Sequence, residues 1–312
     1  MDFILIILGL VLLIKCADWF VDGCSNVASS FGVPSLIIGL TIVAFGTSAP
    51  EAAVSVTASF KGMNDIALGN VVGSNICNLL LVLGVGSLFG TLTAKRKILT
   101  RDFVYAIFSS VVLLILSFNF FTNGGNEGVI TRTNGLILLC FLGIYLYALL
   151  GDAFRSVREK EEKTKFNVKD LLFIIIGLIG IILGGQLVVN SATSIANMFN
   201  ISQNVIALTI VAIGTSLPEL VTSAVAAKKG KTDIAIGNVV GSNIFNIFFI
   251  LGLSSVVSPV TFGIDSYMDI IIMVIASMVV YGLLLLNKRI GRIKGVILLT
   301  FYIIYMMYIL AR

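Results

Sequence analysis

The chain runs as long apolar stretches separated by short polar breaks, and the stretches are continuous rather than alternating. Ten of them, at about 3-29, 34-60, 66-90, 103-120, 134-151, 170-197, 203-228, 234-258, 268-287 and 295-311, match or approach the length an α-helix needs to cross a hydrocarbon core of about 30 Å. A transmembrane β-barrel would show segments of roughly ten residues alternating in and out, whereas Leu171 to Leu187 is unbroken. The pattern predicts an all-α membrane protein with ten transmembrane helices.

The same pattern contains an internal repeat. Residues 33-78 laid over 201-246, at a constant offset of 168 and without a gap, give 27 identities in 46 positions. Each half holds five spans, so the second half enters from the opposite side of the membrane. The halves, 1-151 and 170-312, are therefore predicted to be inverted five-helix repeats, an organisation found in transporters. The connection at 152-169 is hydrophilic and too short for a folded domain.

Composition agrees: 58% of residues are apolar, 12% are charged and mean hydropathy is +1.07, which excludes a soluble enzyme. The net charge of +5 would suggest nucleic acid in a soluble chain, but here the basic residues sit between spans and report orientation. Alternate breaks hold Lys95, Arg96, Lys97 and Arg101; Arg155, Arg158, Lys160, Lys163, Lys165 and Lys169; Lys228, Lys229 and Lys231; and Lys288, Arg289, Arg292 and Lys294. The other side has Lys61, Arg132 and Arg312. The positive-inside rule thus predicts an integral cell-membrane protein with both termini extracellular and the linker 152-169 cytoplasmic. Lys15, inside the first span, is expected to pair along its helix with Asp18 and Asp22 or to snorkel. The first span starts at Phe3 without a basic leader or a small-residue cleavage site and is read as a retained helix.

Histidine is absent, and Cys16, Cys24, Cys77 and Cys140 show no metal-type spacing, so carboxylates, hydroxyls, amides and carbonyls carry the chemistry. The most similar parts of the repeats are Gly46-Thr47-Ser48-Ala49-Pro50-Glu51 and Gly214-Thr215-Ser216-Leu217-Pro218-Glu219. Proline cannot donate to the carbonyl four residues back, so Pro50 and Pro218 should break their helices and free the carbonyls of Gly46 and Gly214. A carboxylate follows each proline, and a mid-membrane carboxylate is tolerated where it lines a polar cavity or pathway. The next span of each repeat adds Gly69-Asn70-Val71-Val72-Gly73-Ser74-Asn75-Ile76-Cys77-Asn78 and Gly237-Asn238-Val239-Val240-Gly241-Ser242-Asn243-Ile244-Phe245-Asn246. Ser74 and Asn78, like Ser242 and Asn246, share one helix face. The result is an all-oxygen donor set suited to hard cations such as Ca²⁺ and Na⁺. Gly69, Gly73, Gly237 and Gly241 read better as packing positions, and Asp65 and Asp233 as N-caps.

These stretches resemble the paired α-repeats of the sodium/calcium exchanger family of the calcium:cation antiporters, over both halves and nearly the whole chain. The resemblance implies ion ligation by Thr47, Ser48, Glu51, Ser74 and Asn78 with Thr215, Ser216, Glu219, Ser242 and Asn246, and carbonyl contributions from Ala44 and Ala212. It implies transported Ca²⁺ and Na⁺ with no cofactor, and an electrogenic three-for-one exchange. Asparagine at both Asn78 and Asn246, where potassium-dependent relatives have an acidic residue, argues against potassium co-transport. The short linker is similar to that of compact prokaryotic exchangers, and a monomer in the lipid bilayer is expected. H⁺/Ca²⁺ exchange through titration of Glu51 and Glu219 is the alternative, and a cation channel a weaker one. Spans 3-29 and 170-197 lack both motifs but are rich in small residues such as Gly180, Gly184 and Gly185, so they are expected to slide as a gate against spans 34-60, 66-90, 203-228 and 234-258.

Overall fold

The computed structural model describes residues 1-122, 127-159, 166-199 and 212-311. The first helix, α1, is Asp2–Phe31. Next come α2 (Ser35–Ile38), a π turn (Gly39–Val43) and α3 (Ala44–Thr47), then α4 (Ala49–Phe60). A third span joins α5 (Asn64–Cys77), a π turn (Asn78–Val82) and α6 (Leu83–Phe89). After β1 (Leu92–Thr93), a π turn (Ile98–Asp102) leads into α7 (Phe103–Leu116), followed by α8 (Asn119–Thr122), β2 (Gly128–Ile130) and α9 (Arg132–Glu159). The second half has α10 (Val168–Met198), α11 (Ala212–Thr215), α12 (Leu217–Lys228) and α13 (Thr232–Phe245). It continues with a π turn (Asn246–Leu251), α14 (Gly252–Val257), β3 (Val260–Phe262), α15 (Ile264–Asn287), β4 (Arg289–Ile290) and α16 (Arg292–Ala311).

Among the described residues, eight helical stretches are long and apolar enough to cross a membrane, and Ser35–Thr47 with Ala49–Phe60 forms a further span bent by 49°. These match nine of the expected spans. The expected span 203-228 begins outside the described residues, and α11 and α12 are its described part. Lys160, Lys163, Lys165 and Arg312 also lie outside them. The elements keep the sequence offset of 168: α3 and α11, α4 and α12, α5 and α13, and the π turns opening at Asn78 and Asn246 correspond residue for residue at their starts.

Burial orders the helices from centre to rim. The apolar window within Thr232–Val257 is 94% buried and that within Ile66–Phe89 is 78% buried, against 33% for both α1 and α10. The rim presents Phe3, Ile7, Ile176, Leu183, Ile293 and Met307 outward, the apolar surface a lipid-facing helix needs.

Along the rim, α1 and α10 run antiparallel as a close pair. A Cβ on Gly184 would stand 2.9 Å from Gly9 O and 3.0 Å from Leu13 N, and one on Gly177 would stand 2.9 Å from Cys16 O. Polar bonds tie both ends: Ser194 Oγ donates to Asp2 Oδ2 at 2.7 Å, and Asn26 Nδ2 to Asp170 Oδ1 at 2.9 Å. Gly180 and Gly184 close α10 onto α1, where the two helices approach tightly, and Gly185 is the one turned toward Pro218.

The loops carrying the basic residues gather at one end. There β1 pairs antiparallel with β4, Lys95 reaches Asp233, and Lys97 bonds Asp152 at 2.7 Å. At the other end β2 pairs with β3. Two expectations change here. Asp233 is the second residue of α13 rather than its N-cap, which is Lys231, because its carboxylate is engaged by Lys95 from a distant loop. Asp18 and Asp22 are not held by Lys15, which is exposed on α1; they bind Lys229 and Lys231 from the α12–α13 connection. The side chain of Asp65, the other expected N-cap, lies outside the described residues.

Candidate ion-binding site

The two helix breaks occur where the prolines place them. Ser48 separates α3 from α4 and Ser216 separates α11 from α12, with Pro50 and Pro218 at the second position of the following helix. Glu51 and Glu219 consequently sit in the first turn of a new helix, where unpaired N–H groups and the helix dipole favour a negative charge. Both glutamates are fully buried.

Each carboxylate is served by the opposite repeat. Ser48 Oγ donates to Glu219 Oε1 at 2.7 Å, and Ser216 Oγ donates to Glu51 Oε1 at 3.2 Å. Ser242 Oγ stands 3.0 Å from Ser48 Oγ and 3.5 Å from both Glu219 Oε1 and the Ala44 carbonyl. That carbonyl also accepts the Ser48 N–H at 3.0 Å. Thr47 Oγ1 donates to Val43 O at 3.0 Å and lies 3.0 Å from Asn238 Oδ1, while Thr215 Oγ1 lies 3.4 Å from Asn70 Oδ1. Ala212 opens α11 at the position equivalent to Ala44.

Next to the carboxylates the two repeats meet in a ring of amides. Asn75 Nδ2 donates to Asn243 O at 3.2 Å and Asn243 Nδ2 to Asn75 O at 3.3 Å. Asn78 Nδ2 then donates to Asn243 Oδ1 at 3.1 Å, and Asn246 Nδ2 to Asn75 Oδ1 at 3.0 Å. This arrangement uses the amide nitrogens of Asn78 and Asn246 and leaves their oxygens free. Among the described residues, Glu51 Oε2, Glu219 Oε2, Ser74 Oγ, Asn78 Oδ1 and Asn246 Oδ1 are buried without a hydrogen-bond partner. Buried oxygens normally have partners, and a cluster of carboxylate, hydroxyl and amide oxygens is complementary to a hard cation. Among the described residues no group of three or more His, Cys, Asp and Glu is arranged for a metal, so any cation here must be held by this mixed set.

The structure thus brings the sequence-predicted residues of both repeats together. It adds residues that motif reading left out. Asn70 Nδ2 donates to the Glu51 carbonyl at 3.2 Å and to Ser55 Oγ at 2.9 Å; Asn238 repeats this with Glu219 O at 3.4 Å and Ser223 Oγ at 2.9 Å. These asparagines fix the first turn that carries each glutamate. Their signal was present, since Ser55, Asn70 and Asn75 recur at Ser223, Asn238 and Asn243. Gly237 and Gly241 fill the packing role expected of them: added Cβ atoms would stand 3.1 Å from Gly39 Cα and 2.8 Å from Leu40 O. The repeat counterparts of those contacts for Gly69 and Gly73 fall at residues 207 and 208, outside the described residues.

The profile of the family described as sodium/calcium exchanger protein matches residues 1-151 and 169-311. The chain belongs to the sodium/calcium exchanger family. This family member is a membrane antiporter, not an enzyme. Its sequence is similar to the sodium/calcium exchanger MaX1 of Methanosarcina acetivorans, 31% identical over 98% of this chain and 97% of that protein. It is also similar to the putative antiporter CaxA of Alkalimonas amylolytica, 36% identical over 97% and 96% of the two chains. A solved structure of the sodium-calcium exchanger NCX_Mj, soaked with Na⁺ and Sr²⁺, superposes with a TM-score of 0.82 at 33% identity, covering 98% of this chain and 97% of that one.

Proposed function

We propose that this exchanger is a Na⁺/Ca²⁺ antiporter working by alternating access at one central site built equally by two inverted five-helix repeats. The repeats are residues 1-151 and 170-312, with ten membrane spans in all, joined by a cytoplasmic linker, and both termini are extracellular. The observation that most directly supports this reading is the exchange of partners, Ser48 with Glu219 and Ser216 with Glu51. Neither repeat completes a site alone. Thr47, Ser48, Glu51, Ser74, Asn78 and the Ala44 carbonyl, with Thr215, Ser216, Glu219, Ser242, Asn246 and the Ala212 carbonyl, are the ion ligands.

Two ionised carboxylates balance one Ca²⁺, whereas three Na⁺ in their place leave a net positive charge, so exchange in that ratio moves charge. The α1–α10 pair is the moving part. Leu178 of α10 lies where a Cβ on Gly46 would stand at 3.1 Å, and Val189 of α10 packs against Gly214, so this one helix crosses both breaks. A shift of α10 changes what covers the ligands of both repeats. At the basic end, Lys229 bonds Asp18 and Asp22, each at 2.7 Å, and Lys231 bonds Asp22 at 2.8 Å, clasping α1 to the α12–α13 connection. Opening of that end requires the clasp to part.

The test is Ca²⁺ uptake by purified protein in sodium-loaded liposomes. Uptake should require an outward Na⁺ gradient and respond to an imposed voltage. Uptake that follows a pH gradient and ignores Na⁺ replaces this reading with H⁺/Ca²⁺ exchange, and uptake with no counter-gradient replaces it with a channel.

A further inference from the structure

The seam between α15 and α16 has two features that ion exchange does not use. At its basic end is a cavity of about 650 Å³, lined by Arg289, Arg292, Lys294, Asn287, Thr91 and Phe89 among others, with no acidic residue in its wall. Lys294 is already committed, donating to Asn287 Oδ1 at 2.7 Å and to the Arg289 carbonyl at 3.0 Å. The guanidinium groups of Arg289 and Arg292 have no acidic partner among the described residues, and both residues are exposed. Asp233, an acid at this end of the molecule, is held by Lys95. Unpaired, fork-shaped guanidiniums are suited to a phosphate.

Deeper along the same helices is a trough of about 400 Å³ whose wall is almost wholly apolar, including Leu80, Ile275, Val279, Phe301 and Tyr305. At 1.5 Å per residue, Val279 lies about 12 Å below Asn287, and Phe301 about 14 Å beyond Arg292. That separation is close to the thickness of one leaflet of a hydrocarbon core about 30 Å across. Between cavity and trough is Gly282, exposed and with nothing within 4 Å of the place a Cβ would occupy. A free phosphate would occupy the head of this seam and leave the trough unexplained, whereas a phospholipid fills both.

We propose that the α15–α16 seam binds an anionic glycerophospholipid, its phosphate on Arg289 and Arg292 and an acyl chain in the trough lined by Val279 and Phe301. The site lies on the side of the molecule bearing the basic loops and shares no residue with the ion ligands, so it stands whether or not the transport reading holds.

The experiment is native mass spectrometry of protein reconstituted with equimolar phosphatidylglycerol and phosphatidylcholine of matched chains, then released into detergent. The wild-type protein should retain phosphatidylglycerol over phosphatidylcholine by roughly 10- to 30-fold, the effect of two basic side chains on a lipid of net negative charge, since the choline ammonium offsets the phosphate of phosphatidylcholine. Arg289→Gln with Arg292→Gln should abolish that preference. Val279→Phe, at a partly exposed position in the trough, should lower retention of both lipids without removing the preference. Equal retention of the two lipids by wild type, or an unchanged preference in the double variant, overturns the proposal. So does displacement of phosphatidylglycerol by inorganic phosphate with no effect of Val279→Phe, which would make the cavity a site for soluble phosphate alone. All variants are loop or rim positions, and a single symmetric elution peak checks that each is folded.

Discussion

Lys229→Ala isolates the ion-pair clasp between α1 and the α12–α13 connection. It removes two ion pairs, to Asp18 and Asp22, each 2.7 Å long, and a 3.0 Å bond to the Asp18 carbonyl, while Lys231 keeps its 2.8 Å contact with Asp22. The side chains involved are 22%, 47% and 42% exposed, so solvent screens them. Pairs of this kind contribute about 0.2–1 kcal/mol each. Under the proposed alternating access, two of them would hold the end shut by about 0.5–2 kcal/mol, which is roughly 2- to 30-fold in the ratio of open to closed. The reporter is native: Cys24 of α1 is fully buried, within electrostatic reach of Lys231. In a background with Cys16, Cys77 and Cys140 replaced by alanine, labelling of Cys24 by a charged thiol reagent should speed up by that factor in Lys229→Ala. Rapid opening and closing make the rate a measure of the open population. High salt should accelerate the parent and barely affect the variant. Lys61→Ala, at the end away from the clasp, should change nothing. An unchanged Cys24 rate in Lys229→Ala would show that the clasp does not hold this end closed.

The clasp should also be indifferent to pH through the neutral range. Burial alone would lower the Lys229 pKa, but its bonds to Asp18 and Asp22 outweigh that and raise it above the ordinary 10.5, so its contribution is full below that value and lost as pH rises through the folded one. Cys24 labelling, corrected for thiolate content, should therefore stay flat through neutral pH and rise in strongly alkaline buffer. Asn75→Leu removes the Nδ2 bond to the Asn243 carbonyl and the Oδ1 acceptor of Asn246 Nδ2, leaving that buried amide donor unpaired at about 1–3 kcal/mol; a fall in the thermal unfolding midpoint checks it. Gly184→Val places a side chain against the α1 backbone and should destabilise the α1–α10 pair by about 1–3 kcal/mol, read in the same assay.

Much of this architecture was written in the sequence, because a membrane helix must be long and apolar and because the chain carries the same information twice. Pro50 and Pro218 located both breaks to within two residues, and the repeat marked Glu51 and Glu219 as equivalents. Periodicity within a span could not say which partner each residue meets across the repeats. Nothing in the order of residues indicates that Ser48 serves Glu219 rather than Glu51, or that Asn75 and Asn243 exchange bonds, since both depend on how two halves dock. The same limit explains Asp18 and Asp22. Lys15 is one turn away in sequence, yet lysines some 210 residues on are nearer in space. Glycine in a rim helix signals close contact but not with which neighbour: Gly180 and Gly184 meet α1, while Gly185 faces Pro218.

Equilibrium binding of Ca²⁺ to the purified protein, with Na⁺ as competitor, tests the central claim most directly when wild type is compared with Glu51→Gln and Glu219→Gln. If both repeats build one site, Na⁺ displaces Ca²⁺ from wild type, and either substitution alone weakens Ca²⁺ binding by about 30-fold or more, the effect of leaving a buried charge without its partner. Wild-type affinity in either single variant, or Ca²⁺ that Na⁺ fails to displace, would contradict it.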